Sequence, residues 1–304
     1  MGHVLKVLTL CFVLSALVVP LRADDGYLKE LGTIVVDNYS QTPTWCGLHN
    51  QTLNYHGFRD ALRTNLESLG SWGEGEHASF PADNNNAYSA MLVESASLYA
   101  DAVDLFVVTM HAYTESGNEG SGAGAYPDGG SCLHFTTDHF TGWDLEKKPG
   151  NVNHSQVSWG SSDLETSIVV ACEWLRNFGK PNLVAKIKKM HQGDHLMLSF
   201  ATYCYDNSDS VESTAGLALA RYLEGVYPYD PLPIYLAWHD TVKIWQPSGT
   251  RARVSLWADP NQGDNNCYHD YLQGNWRNWG FTGQPPTCTD NNLSVFQFAD
   301  YVVP

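Results

Sequence analysis

Two apolar runs of this chain end in residues that can do covalent chemistry. Leu105-Phe-Val-Val-Thr-Met110 runs into His111-Ala112, and Ser167-Ile-Val-Val-Ala171 runs into Cys172-Glu173. A thiolate is a strong nucleophile, and an imidazole beside it lowers the thiol pKa or protonates a leaving amine. Reactive residues of open parallel sheets collect beyond the carboxyl ends of the strands. If the two runs are neighbouring strands, His111 and Cys172 stand side by side at the rim of the sheet. Cys204 follows the next run, His195-Leu-Met-Leu-Ser-Phe-Ala201, and reaches the same rim. A permanent Cys172–Cys204 bridge would silence the nucleophile, whereas a bridge that mild reductant opens would make the two a redox pair. Taken singly, a cysteine at a strand end is often an inert small hydrophobe and a histidine there a hydrogen-bonded structural group. Together and in this order they point to a dyad.

These residues need a sheet to hold them. Thr33–Val36, Asp104–Met110, Thr166–Ala171, His195–Ala201 and Arg253–Trp257 are near-continuous apolar runs, the pattern of strands buried on both faces. Helical patterns lie between them at 57–69, 87–102, 173–191 and 212–224; on the last, Val211, Ala215, Leu219 and Tyr222 share a face. The alternation predicts an α/β fold, a mostly parallel sheet sandwiched by helices. Residues 115–159 hold Gly117, Gly120, Gly122, Gly124, Gly129 and Gly130 and predict a long glycine-rich loop, more often functional than ornamental. Residues 259–304 predict an irregular polar extension packed on the same domain. The expected organisation is therefore a leader over 1–23, the α/β domain over 24–258 and the extension over 259–304.

Of 304 residues, 17 are Lys or Arg and 33 Asp or Glu, a formal charge of −16, and 43% are apolar. With acidic residues in excess no basic surplus is available to neutralise phosphates, and with so many apolar residues neither a nucleic-acid partner nor a disordered chain is expected. Lys6 precedes the apolar run Val7 to Val19, followed by Pro20-Leu-Arg-Ala23, the pattern of a secretory leader ending at Ala23. That run is shorter than the roughly 20 residues of a membrane-spanning helix, so an extracellular product without a membrane span is expected. Sequons at Asn38, Asn50, Asn153 and Asn292 predict N-glycosylation. Six cysteines follow the leader, an even number that favours disulfides in an oxidising compartment; Cys267 and Cys288 bracket a Gly/Pro/Asn-rich loop and form the best local pair. Cys132-x-His134-x3-Asp138-His139 has metal-ligand types, but a disulfide through Cys132 and a solvated loop explain it equally, and neither a metal nor a cofactor is predicted. No Gly-x-Ser-x-Gly elbow, His-Glu-x-x-His helix or phosphate-cradling Gly-x-x-x-x-Gly-Lys is present to anchor another chemistry.

A buried strand ending in His, followed by a second ending in Ala-Cys, resembles the signature of the caspase-like cysteine peptidases: caspases, legumain, gingipains, separase and metacaspases. Val170-Ala171-Cys172-Glu173 is similar to legumain's Glu-Ala-Cys-Glu. The likeness covers roughly Thr33 to Trp257 as an order of strands and a few residues as a motif. It implies a caspase-like three-layer architecture, with Cys172 as nucleophile and His111 as general acid/base. It also implies an oxyanion hole from the backbone N–H of Cys172 and one near Ala112, where that family has Gly. The chain is also similar to an uncharacterised family of secreted or bacterial domains with the same two strands, through Gly193-Asp-His195-Leu-Met-Leu-Ser-Phe200-Ala-Thr202 and Ala237-Trp238. Two functions follow. One is a secreted cysteine endopeptidase acting on a peptide or protein substrate through an acyl-enzyme, with basic substrates favoured by the acidic balance. The other is a catalytically inactive secreted glycoprotein, a scaffold for binding or assembly on the same fold.

Overall fold

The apolar runs become strands because β-branched side chains fit a pleated surface covered on both faces. In the computed structural model the chain order is β1 (Glu30–Val35), α1 (Tyr55–Gly70), β2 (Gly73–Glu74), β3 (Ala82–Asp83), β4 (Leu105–Thr109), β5 (Ala112–Glu115), β6 (Gly130–His134), β7 (Asn151–Asn153), β8 (Thr166–Val170), α2 (Pro181–Met190), β9 (Leu196–Phe200), α3 (Asp209–Glu224), α4 (Ile234–Trp245), β10 (Arg251–Ala258) and β11 (Val295–Val302). The structure describes residues 30–38, 53–70, 73–74, 82–83, 91–92, 99–115, 130–134, 151–153, 157–160, 164–176, 181–191, 194–225, 231–258 and 295–304. The leader, Asn50, Asn292, the Cys267–Cys288 pair and the Asp138-His139 end of the loop motif lie outside them.

One sheet runs in the order β11-β10-β9-β8-β4-β1-β2, with β3 also paired to β1. β1, β4, β8 and β9 are parallel, while β10 and β11 each join antiparallel. Successive side chains serve opposite faces. Leu105, Val107, Ile168, Val170, Leu198 and Phe200 pack against Phe58 and Leu62 of α1, Leu219 of α3 and Trp238 of α4. Phe106, Val108, Val169 and Met197 pack on the other side with Ile187 and Met190 of α2 and with Trp159. The result is the expected three-layer α/β fold. After β1 the chain leaves through α1 towards β2; after β4 it moves the opposite way, towards β8. Right-handed crossovers running in opposite directions put their connections on opposite faces, so the topological switch point lies between β1 and β4.

Close helix packing fixes the layer above the site. A Cβ on Gly216 of α3 would lie 2.1 Å from the Phe58 carbonyl oxygen, so α1 and α3 meet backbone to backbone there. Phe58 stacks on Trp245 with ring centres 4.8 Å apart, and Phe200 meets Trp245 edge-on at 5.7 Å, which joins α1, α4 and β9.

Four expectations need correction. The helix expected at 173–191 starts at Pro181, because the chain after Cys172 is captured by β9 and proline is well suited to the first helical position. The described residues of the helix expected at 87–102 form turns, and there the Leu92 carbonyl accepts the Trp159 indole N–H at 3.1 Å. The glycine-rich loop carries β5, β6 and β7, a separate antiparallel sheet. The extension is not irregular at its end: β11 pairs along the whole of β10, and Arg253 holds Asp300 directly opposite it through two bonds of 2.5 and 2.8 Å.

Candidate active site

The last row paired across β1, β4 and β8 is Val35–Thr109–Val170. Two residues beyond its three members stand Asp37, His111 and Cys172. Of the three, Cys172 packs into the core on the side of α1, α3 and α4. Val36 N–H to Thr109 O at 2.9 Å and Met110 N–H to Val170 O at 3.1 Å carry the pairing past the ladder. The row spans the switch point, where open α/β sheets hold ligands. His111 is half-buried and Cys172 buried. Ala112 opens β5 opposite Leu133 and buries its side chain on the other face.

Beyond Val170 the chain turns sharply. Ala171 N–H bonds to Val169 O at 2.9 Å, and Glu173 takes φ 58°, in the left-handed region that non-glycine residues rarely adopt. Glu173 N–H to Thr202 O at 2.9 Å and Leu175 N–H to Phe200 O at 3.0 Å pin this turn to β9. The buried Glu173 carboxylate is paired with Arg176, and Arg253 of β10 donates to Leu175 O at 3.0 Å. The unusual backbone after Cys172 is therefore held from β9 and β10.

Cys172 Sγ lies 2.7 Å from Cys204 Sγ, and no disulfide joins them. Cys204 N–H donates to Cys172 Sγ at 3.0 Å; as a thiol, Cys172 can in turn donate to Cys204 O at 3.0 Å. The Cys204 S–H, helped by that N–H, holds the Cys172 thiol below its ordinary value despite burial. Cys204 is pushed well above its ordinary value by burial, by the sulfur of Cys172 and by the nearby Glu212 carboxyl. Of the two, Cys172 is the one that ionises.

Glu212, in the first turn of α3, is fully buried. Its Oε1 accepts the Asn207 N–H at 3.0 Å, while Oε2 has no hydrogen-bond partner. Burial pushes this carboxyl up to about 7, with Asp206 and Asp209 adding to it and the Trp245 indole and Asn207 N–H opposing it. Asn54 ties this corner to the start of α1: its N–H reaches Asp206 Oδ1 at 2.7 Å and its side-chain amide reaches Asn207 O at 2.6 Å.

At the β1 end of the row, His56 of α1 binds Asp37 through Nδ1, and its Nε2 lies 3.6 Å from Asp83 Oδ2. The hydrogen bonds to Asp37 and Asp83 push His56 up to about 9. Asp83 resists the upward push of burial and sits below the usual carboxylate range, held by His56 and by Arg59 at 2.7 Å.

His111, Cys172 and Cys204 follow the carboxyl ends of β4, β8 and β9, and the two cysteines meet. Sequence reasoning missed Asp37, His56, Asp83 and Glu212. Asp37 follows Thr33–Val36 as His111 follows its own run, so the same rule extended to β1 would have found it. His195, buried at the start of β9, donates its backbone N–H to Glu165 O at 2.7 Å and stands at the opposite end of the strands. A buried Asp194–His191–Ser255 chain, with contacts of 2.9 and 2.8 Å, has the residue types of a catalytic triad. All three are closed from solvent, and they tie the end of α2 to β10. Among the described residues no group of His, Cys, Asp and Glu is arranged to hold a metal, and no helix is long and apolar enough to cross a membrane. Of the sequons, Asn38 is exposed and Asn153 ends β7.

The family model for a domain of unknown function, DUF6345, matches residues 35–289. The chain belongs to the DUF6345 family. The DUF6345 match encloses Asp37, His56, His111, Cys172, Cys204 and Glu212 and ends before β11. No curated protein matches the chain. Among solved structures, the DUF6345 chain is similar to the crystal structure of protein GSU0716 from Geobacter sulfurreducens, at 11% identity and a TM-score of 0.38, covering 72% of this chain and 89% of that one.

Proposed function

We propose that this DUF6345 protein is a secreted, caspase-like cysteine endopeptidase with a Cys172/His111 dyad. The observation that carries the reading is the equal offset of His111 and Cys172 beyond the carboxyl ends of β4 and β8, two adjacent and paired parallel strands. The Cys172 thiolate, favoured by the Cys204 donors, attacks the scissile carbonyl, and His111 gives a proton to the leaving amine. Water then releases the acyl group with His111 as base. The backbone N–H of Cys172 and one near Ala112 are the oxyanion donors in this reading. The acidic balance of the chain favours a basic residue in the substrate.

The test is hydrolysis of a mixed peptide library by the purified protein, its Cys172→Ala variant and its His111→Ala variant. Cleavage lost in both, with loss of rapid iodoacetamide labelling of Cys172 in His111→Ala, is the expected result. A Cys172→Ala protein as active as the parent overturns it. The 2.7 Å approach of Cys204 favours one alternative, a permanently bridged and inactive glycoprotein scaffold. Recovery of Cys172 in a disulfide that mild reductant leaves intact would select that alternative.

A further inference from the structure

Close to the two thiols stands a buried carboxyl, Glu212, with one oxygen bonded to the Asn207 N–H and the other unpartnered. Glu212 Oε2 is buried without a hydrogen-bond partner, as is the Trp245 indole nitrogen, although an unsatisfied buried polar atom costs about 1–3 kcal/mol. The Glu212 charge is felt at Cys204, which holds its proton tightly and becomes a nucleophile once a nearby base removes it.

We propose that Cys172 and Cys204 form a thiol–disulfide exchange couple, in which Cys172 attacks, Cys204 resolves and Glu212 takes the Cys204 proton. The substrates are small or extended-chain disulfides and, in reverse, the corresponding thiols, since both cysteines offer only a narrow edge to solvent, 7% and 9% exposed. The Cys172 thiolate attacks one sulfur of R–S–S–R′, forming Cys172–S–S–R and expelling R′S⁻, which takes a proton from water. The Glu212 carboxylate then accepts the proton of Cys204. The Cys204 thiolate attacks Cys172 Sγ from the adjacent position, the mixed disulfide breaks, and RS⁻ leaves. The substrate has gained two electrons, the protein carries the Cys172–Cys204 disulfide, and Glu212 returns its proton to solvent. This chemistry shares Cys172 with the peptidase reading but needs neither His111 nor the oxyanion donors.

The groups acting on Glu212 are Cys204, Asp206 and Asp209 from the preceding loop and helix turn, the Trp245 indole of α4 and the Asn207 N–H; from α1, a Cβ added at Gly57 would lie 3.1 Å from the Glu212 Cβ. The resolving step of the wild-type protein should therefore speed up as pH rises through about 7, where Glu212 becomes the free base.

The probe is glutathione, reduced and oxidised, applied to the full chain and read by alkylation and peptide mass mapping. A Cys172–Cys204 bridge that closes and reopens across the glutathione ratios is expected. Cys204→Ser should accumulate a glutathione mixed disulfide on Cys172, and Cys172→Ser should not form one on Cys204 at a comparable rate. Glu212→Gln should slow loss of the mixed disulfide near pH 7 by about tenfold or more, on the scale of general-base contributions, and remove the pH dependence around 7. If Glu212→Gln fails to fold, the wild-type pH profile decides alone. A bridge closed at every ratio, no adduct in Cys204→Ser, or a wild-type resolving rate indifferent to pH around 7 each overturns the proposal. Peptide hydrolysis, measured alongside, tests the peptidase reading separately.

Discussion

Replacing Glu212 by Gln should flatten the dependence of stability on pH between about 4.5 and 7. Burial raises the folded-state carboxyl from 4.5 to about 7. Between those values the native protein keeps a proton that the unfolded chain has already lost. The stabilisation linked to that proton is fully present below pH 4.5 and is lost as pH rises through 7. Each pH unit of the gap corresponds to about 1.4 kcal/mol, so the change is on the order of 3 kcal/mol. Gln keeps an oxygen for the Asn207 N–H, while its amide nitrogen takes over the unpartnered position of Oε2, which shifts the absolute stability by an amount independent of pH. The readout is therefore the slope. Urea unfolding of both reduced proteins from pH 4.5 to 8.5 should show the variant gaining about 3 kcal/mol on the parent as pH rises. Two curves that run parallel across this range would refute the assignment of Glu212 as a buried, proton-holding carboxyl.

Gly216→Ala should prevent stable folding or cost more than about 3 kcal/mol, because its Cβ would meet the Phe58 carbonyl oxygen at 2.1 Å and backbone cannot give way there as a side chain can; thermal melting checks it. His239 is lowered to about 4 by burial and lies against Tyr301 of β11 with ring centres 5.1 Å apart. The parent should lose up to about 3 kcal/mol as pH falls from 6.5 through 4, and His239→Phe, which keeps the ring packing, should abolish that part of the acid sensitivity in the same unfolding assay. His56 behaves oppositely, since its raised value of about 9 gives stability that is present below pH 6.5 and lost as pH rises through 9. With 35% of its side chain exposed the gain is discounted for solvent screening to about 1 kcal/mol, so His56→Gln should be destabilised by that amount at pH 6 and by almost nothing at pH 10.

The sheet was legible in the sequence because its strands are covered on both faces, and continuous runs such as Leu105-Phe-Val-Val-Thr109 have no other stable home. His111 and Cys172 were legible for the same reason: each is the first reactive residue after such a run. α4 was harder to see, since Ile234, Trp238, Thr241, Val242 and Trp245 are buried around much of its circumference and leave little amphipathic contrast. β6 was hidden by glycine density, which reads as loop whether or not the backbone pairs. Glu212 could not be read at all. An acidic residue in the first turn of a helix ordinarily faces water and the helix dipole, and only the close approach of α1 and α3 with the cover of Trp245 turns it into a buried group.

The two chemistries proposed at this rim compete for one sulfur atom. Peptide attack needs Cys172 as a free thiolate, and disulfide exchange ends with that sulfur bonded to Cys204, so the protein cannot be in both states at once. The same contact that lowers the Cys172 thiol, the Cys204 S–H at 2.7 Å, is the one that would close the bridge. Activation and silencing are therefore two outcomes of a single geometry, separated by two electrons. It follows that Cys204→Ser should split them. The hydroxyl can still donate to the Cys172 sulfur, so peptide hydrolysis should persist and no longer fall under an oxidising glutathione ratio, while the mixed disulfide on Cys172 can no longer be resolved within the protein. Hydrolysis that falls in Cys204→Ser to the level of Cys172→Ala would mean that the second sulfur itself, not its proton, is what the first one needs.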